Sequence, residues 1–110
     1  MDVTGAVINI TSENTERLEA CYRDVLQLPR AEEMGEWAFR ARPLELIIDG
    51  HSETRRPTAE PSRVLINLVV ADVVGERERL KAAGVAFTPE REPWGGTIAT
   101  MRDPDGGYVQ

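Results

Sequence analysis

AVINITSEN at residues 6–14 and VLINLVVAD at residues 64–72 carry an Ile-Asn pair and a following aliphatic residue at one common offset. In the first copy Val7, Asn9 and Thr11 fall on one side of an extended chain and Ile8 and Ile10 on the other, which describes a strand with two different neighbours. A helix pattern follows each copy. Asn14 or Thr15 can cap a helix whose Leu18, Cys21, Tyr22, Val25 and Leu26 recur at helical spacing until Pro29 forbids continuation. Asp72 can cap a second helix over residues 73–83, with Gly84 as its stop.

Working outward from these paired units, residues 30–35, 36–42 and 44–49 are short segments separated by Gly35 and Pro43, as expected for a small meander. In the second half residues 85–88 and 97–101 suggest strands, and DPDGG at 103–107 is a turn leading into Tyr108, Val109 and Gln110. Each half therefore reads β-α-β-β-β. Between them, residues 51–62 are rich in Thr, Ser, Pro, Glu and Arg and lack apolar periodicity, which marks a connection. The expectation is one α+β domain over residues 1–110, built of modules at about 1–50 and 63–110. Each module has a mixed sheet with one face needing cover, and pairing two such sheets would enclose a shared cavity.

Composition narrows the function classes. The chain of 110 residues is 41% hydrophobic and 29% charged, and no apolar run approaches the ~20 residues that a spanning helix needs. No membrane association is expected. Its start has no basic region ahead of an apolar stretch, so cytoplasmic residence is the expectation. With 13 basic against 19 acidic residues, the formal charge of −6 would repel a phosphate backbone and argues against nucleic acid. Arg55, Arg56 and Arg63 sit among Glu53 and Glu60 and read as a solvated connection. Cys21 is the single cysteine, which excludes a disulfide framework and a cysteine zinc site. A Gly-rich phosphate loop and a nucleophile elbow are absent, and Ser12, Ser52 and Ser62 have no histidine at a matching location.

LEACYRDVLQLP at 18–29, LKAAGV at 80–85 and MRDPDGGYVQ at 101–110 together resemble the vicinal oxygen chelate superfamily of glyoxalases, bleomycin resistance proteins and extradiol dioxygenases. The last segment is the most specific, since Pro104 presets the backbone dihedral that such a turn requires. The resemblance implies metal ligands on the first and last strands of each half. The position that is His or Gln in the family falls on Val7, and its second-half counterpart falls on Leu65. Neither can coordinate. Glu45 matches the glutamate of glyoxalase-type members, and Gln110 takes the place of the glutamate that follows the turn. His51, the only histidine, does not match a ligand position and reads as a turn residue. The expectation is a protein without metal or other cofactor, with a hard cation on Glu45, Gln110 and waters as the weak remainder.

In place of a metal, the resemblance implies a cavity lined by Val7, Asn9 and Thr11 from one half and Leu65, Asn67 and Val69 from the other. Asn9 and Asn67 are candidate ligand readers or, equally, partners that fix the two halves. Glu45 is a candidate proton acceptor or cation binder, its alternative being an ion pair with Arg40, Arg42 or Arg102. Trp37, Phe39, Trp94 and Tyr108 would rim the cavity and suit a small organic ligand. Met34 and Met101 read as core filler. The leading expectation is a small-molecule binder of the bleomycin resistance kind, taking an aromatic or amphipathic compound, cationic if the acidic charge guides it. An alternative is a lyase or isomerase using Glu45 as general base, and a third is a cavity filled by its own side chains. Family members usually dimerise, so a homodimer is implied. The chain stops at Gln110 in what should be the middle of the last strand, which would leave that sheet edge short.

Overall fold

The computed structural model describes residues 1–88 and 98–110. Strand β1 (Val7–Thr11) leads into helix α1 (Thr15–Ala20), and β2 (Ala38–Ala41) and β3 (Leu44–Asp49) follow. In the second half come β4 (Leu65–Ile66), α2 (Val73–Ala82), β5 (Met101–Arg102) and β6 (Tyr108–Val109). These elements form two three-stranded mixed sheets with orders β1-β3-β2 and β4-β6-β5, and in each sheet the central strand pairs parallel to one neighbour and antiparallel to the other. The same topology is written twice. Two compact units result, Met1–Arg56 and Pro57–Gln110, and their boundary falls inside the expected connection.

In the first unit Asn14 is the cap, its side-chain carbonyl accepting from the Arg17 amide at 3.1 Å. The helix then widens into a π-helical turn over Cys21–Val25, marked by the Leu26 amide donating to the Cys21 carbonyl at 2.9 Å. Leu18 and Tyr22 are fully buried, and the Tyr22 ring lies 6.4 Å from that of Phe39. With Leu46 and Ile48 they make the apolar core of this unit. Beside it Glu19, only 6% exposed, accepts from Arg23 and from Arg30, each at 2.6 Å. Arg30 also donates to the Glu36 carbonyl and stands over the Phe39 ring at 5.6 Å. One carboxylate thus ties α1 to the chain entering β2. Arg23 hydrogen-bonds Asp24 as well and holds that exposed carboxyl below the usual carboxylate range.

The expected meander is reduced. Residues 30–35 do not form a strand: Arg30 makes one antiparallel bridge to Phe39, and Glu32–Met34 wind a single 3-10 turn. The physical reason is local, because Gly35 takes φ +128° and the amides of Met34 and Gly35 are consumed by the carbonyls of Ala31 and Glu32. Residues 85–88 are likewise reduced to a bridge between Phe87 and Met101. The strand expected within the second copy at 64–72 is two residues long, preceded by a 3-10 turn at Pro61–Arg63 and extended by hydrogen bonds between Gln110 and the backbone of Ile66 and Leu68.

Helix α2 begins as expected at the Asp72 cap, whose carboxylate accepts from the Gly75 amide at 2.9 Å. It ends at Gly84, in the left-handed region at φ +91°, where the amide donates to the Lys81 carbonyl at 2.9 Å. Ion pairs Arg79–Glu76 and Lys81–Glu78 run along it, and Arg77 stands over the Phe87 ring at 5.7 Å. No helix among the described residues is long and apolar enough to cross a membrane.

The turn from β5 to β6 is built on Asp103, 7% exposed, whose Oδ1 accepts from the amides of Asp105 at 3.0 Å and Gly107 at 2.9 Å. Gly106 sits at φ +83°, a conformation that costs an L side chain. The connection divides between the units. Thr54 Oγ1 is 2.7 Å from Thr11 Oγ1 and the Arg56 amide reaches Glu13, whereas the Thr58 amide donates to the Asp105 carbonyl at 2.8 Å.

Three stability measurements check these assignments. Glu19→Ala should cost about 2 kcal/mol in urea unfolding, below the value for a fully buried pair because both arginines retain access to water. Asp103→Ala strands two turn amides and should cost about 1–3 kcal/mol, with Asp103→Asn closer to wild type. Gly75→Ala would ordinarily stabilise a helix by about 1 kcal/mol. Here the new Cβ lies 2.8 Å from Asp72 Cγ and collides with its carboxylate. The expected gain should therefore appear only in an Asp72→Ala background, a coupling that a double-mutant cycle reads directly.

Candidate functional site

Alternation along the strands sorts the first unit into two faces. Ile8, Ile10, Phe39, Leu46 and Ile48 share the face that builds the core, while Val7, Asn9, Glu45, Ile47 and Arg40 share the other. In register, Glu45 lies beside Val7 and opposite Arg40, and Ile47 lies beside Asn9. Arg40 is engaged by Glu33, and the alternative reading of Glu45 as paired with Arg40, Arg42 or Arg102 is not realised among the described residues. Glu45 is half-buried, and its carboxylate has no hydrogen bond or ion pair among the described residues. Asn9 is exposed, and its side-chain amide is likewise unpartnered among the described residues. A carboxylate and an amide without a partner among the described residues can receive a donor from outside the protein.

The second unit repeats the arrangement with different chemistry. Leu65 lies beside Tyr108 and Tyr108 opposite Arg102, the same rung that Val7, Glu45 and Arg40 occupy in the first unit. The hydrogen bonds of Gln110 bracket Asn67, at 2.8 Å to the Ile66 carbonyl and 2.8 Å from the Leu68 amide. Asn67, Tyr108, Gln110 and Arg102 therefore share one face, and Met101 and Val109 are buried on the other. The Gln110 amide donates to Thr100 Oγ1 at 2.9 Å. The Arg102 guanidinium stands 5.1 Å from the centre of the Tyr108 ring and donates to its hydroxyl at 3.2 Å.

The donor set does not fit a divalent metal of the kind the resemblance implies. Val7 and Leu65 offer no lone pair, and Glu45 and Gln110 stand on non-equivalent rungs, one beside Val7 and the other beside Asn67. Among the described residues no group of three His, Cys, Asp or Glu side chains could hold a metal ion. His51 is an exposed turn residue whose Nδ1 accepts from the Glu53 amide at 3.2 Å.

Two aromatic expectations need correction or restriction. Phe39 is fully buried against Tyr22 and belongs to the core, because it alternates with Arg40 and so faces away from Asn9 and Glu45. Trp94 lies outside the described residues. Trp37 is half-buried just ahead of β2, its carbonyl accepting from the Ile48 amide at 3.0 Å. In the sequence Arg102 stands out only as a partner for Glu45, and Thr100 carries no signal of its own. Their signal was the turn itself, since a hairpin closed over residues 103–107 sets 102 opposite 108.

Several solved structures share this architecture. A variant of the fosfomycin resistance protein FosX from Listeria monocytogenes, solved with manganese(II) and 1S,2S-dihydroxypropylphosphonic acid, is 21% identical with a TM-score of 0.66, over 98% of this chain and 88% of that one. Lactoylglutathione lyase from Agrobacterium tumefaciens is 19% identical with a TM-score of 0.71, over 99% and 92%. TnmS3, an antibiotic binding protein from a Streptomyces species, is 17% identical with a TM-score of 0.63, over 98% and 93%. Among curated proteins no match is found. The family model for the glyoxalase/bleomycin resistance protein/dioxygenase superfamily matches residues 6–110, spanning both copies of the strand order described above, and the chain belongs to that superfamily.

Proposed function

We propose that this protein binds a small organic molecule, aromatic or amphipathic, at the sheet faces that carry Asn9, Glu45 and Asn67. The observation that carries this reading is that the side chains of Asn9 and Glu45 on one sheet and of Asn67 on the other have no hydrogen-bond partner among the described residues. Each lies on the face opposite the buried side chains of its own unit. Polar groups left over after a sheet has satisfied its own backbone are what ligand recognition uses to fix orientation. Fold neighbours support the same class, since TnmS3 is an antibiotic binding protein and the FosX variant was complexed with a phosphonic acid.

A second reading has its own observation. Glu45 is half-buried and has no partner among the described residues, which leaves its carboxylate available as a base, and a lyase shares the fold. In that reading Glu45 is the general base of a lyase or isomerase.

Screening a compound panel by calorimetry and by product analysis, on wild type and on Glu45→Gln, separates the two. The expected outcome is saturable binding of at least one compound class, no product, and roughly tenfold weaker binding by Glu45→Gln, about 1.4 kcal/mol, for a lost charged hydrogen bond. Turnover abolished by Glu45→Gln with binding retained would establish the enzyme instead. Absence of binding across the panel would remove the proposal.

A further inference from the structure

The two units place one arginine at the same rung of the same sheet order, yet treat its charge differently. In the first, Arg40 lies opposite Glu45 and is neutralised by Glu33. In the second, Arg102 lies opposite Tyr108 and has no ion pair among the described residues. Among the described residues the second copy thus keeps the cation without a carboxylate paired to it, and a phenol stands where the first copy has Glu45.

The phenol also holds the arginine. Its ring lies under the guanidinium at 5.1 Å and its oxygen accepts from Nη2 at 3.2 Å, which restricts the long side chain over the sheet face. A guanidinium has five N–H donors in a planar fork, and one bond to Tyr108 leaves the rest available for a two-oxygen anion. The Tyr108 hydroxyl, accepting from arginine, keeps its own proton to donate. On the same rung Leu65, 42% exposed, supplies apolar surface. Net charge of −6 opposes large polyanions, but a short bidentate contact acts inside the ~10 Å over which solvent ions screen the rest of the molecule.

We infer that the face formed by Arg102, Tyr108 and Leu65 binds the anionic end of a small organic acid, a carboxylate or phosphonate joined to an apolar body. This rests on the small-molecule reading above and fixes the charge of its ligand, against the cation that overall composition suggested.

The test uses four probes that share a phenyl ring, namely benzoate, phenylphosphonate, benzamide and benzylamine, titrated into the full chain and followed by amide chemical shifts. Benzoate or phenylphosphonate should bind at least tenfold more tightly than benzamide, with the largest shifts at Arg102 and Tyr108, and comparing the two acids distinguishes carboxylate from phosphonate. Arg102→Gln should lower the acids to the level of benzamide while the remaining amide spectrum is preserved, and Arg102→Lys should restore part of the preference. Equal binding of benzamide and the acids overturns the inference and leaves the small-molecule reading standing. A preference for benzylamine, an acid preference that survives Arg102→Gln, or no response to any probe overturns it as well.

Discussion

Parallel pairing of β1 with β3, Val7 beside Glu45, is the constraint from which the functional face follows. In a parallel ladder side chains on one rung point the same way, so a single register sets every later choice. Ile8 and Leu46 turn toward Phe39 and the core, and Asn9, Glu45 and Arg40 turn away together. A slip of one residue would bury Glu45 and expose Leu46. Burying Leu46 and Ile48 contributes on the order of 1.5–3 kcal/mol each, so the correct register wins by a wide margin. The polar face is thus a consequence of the apolar one.

The same register recurs in the second unit with much less behind it. Met101 and Val109 are its buried hydrophobic residues among those described, and α2 contributes no buried side chain. Order there depends more on directional contacts: the Asp72 cap, the Asp103 turn and the bonds of Gln110 to the β4 backbone. Hydrogen bonds of this kind define geometry while adding only about 1 kcal/mol apiece. Among the described residues, one module is held by packing and its copy largely by caps and turns.

Local chemistry was readable in advance wherever a residue acts on its own backbone. The Asp72 cap, Gly84, the two-faced strand at Val7–Thr11 and the turn on Asp103 each depend on neighbours within a few positions. Legibility failed where a partner comes from elsewhere in the fold. Phe39 and Arg40 are adjacent in sequence and opposite in fate, and only the pairing with β3 decides which of them meets Tyr22. The alternative of an ion pair for Glu45 depends on where Arg40 turns, and it turns to Glu33, a residue in a segment expected to be strand. Two copies of one module likewise gave no notice that Tyr108, and not Gln110, answers to Glu45 in the ladder. That equivalence lies in strand register, which letters alone do not carry.

The divided connection has a consequence for how the two modules are joined. Residues up to Arg56 are fastened to the first unit through Thr54 and Glu13, and residues from Pro57 belong to the second through Thr58 and Asp105. The two sets of hydrogen bonds meet at Arg56–Pro57, where proline has no N–H to lose. Extra chain inserted at this point would leave the hydrogen bonds of Thr54, Arg56 and Thr58 in place. The duplication carries its own suture line, and each half keeps the stitches that close it.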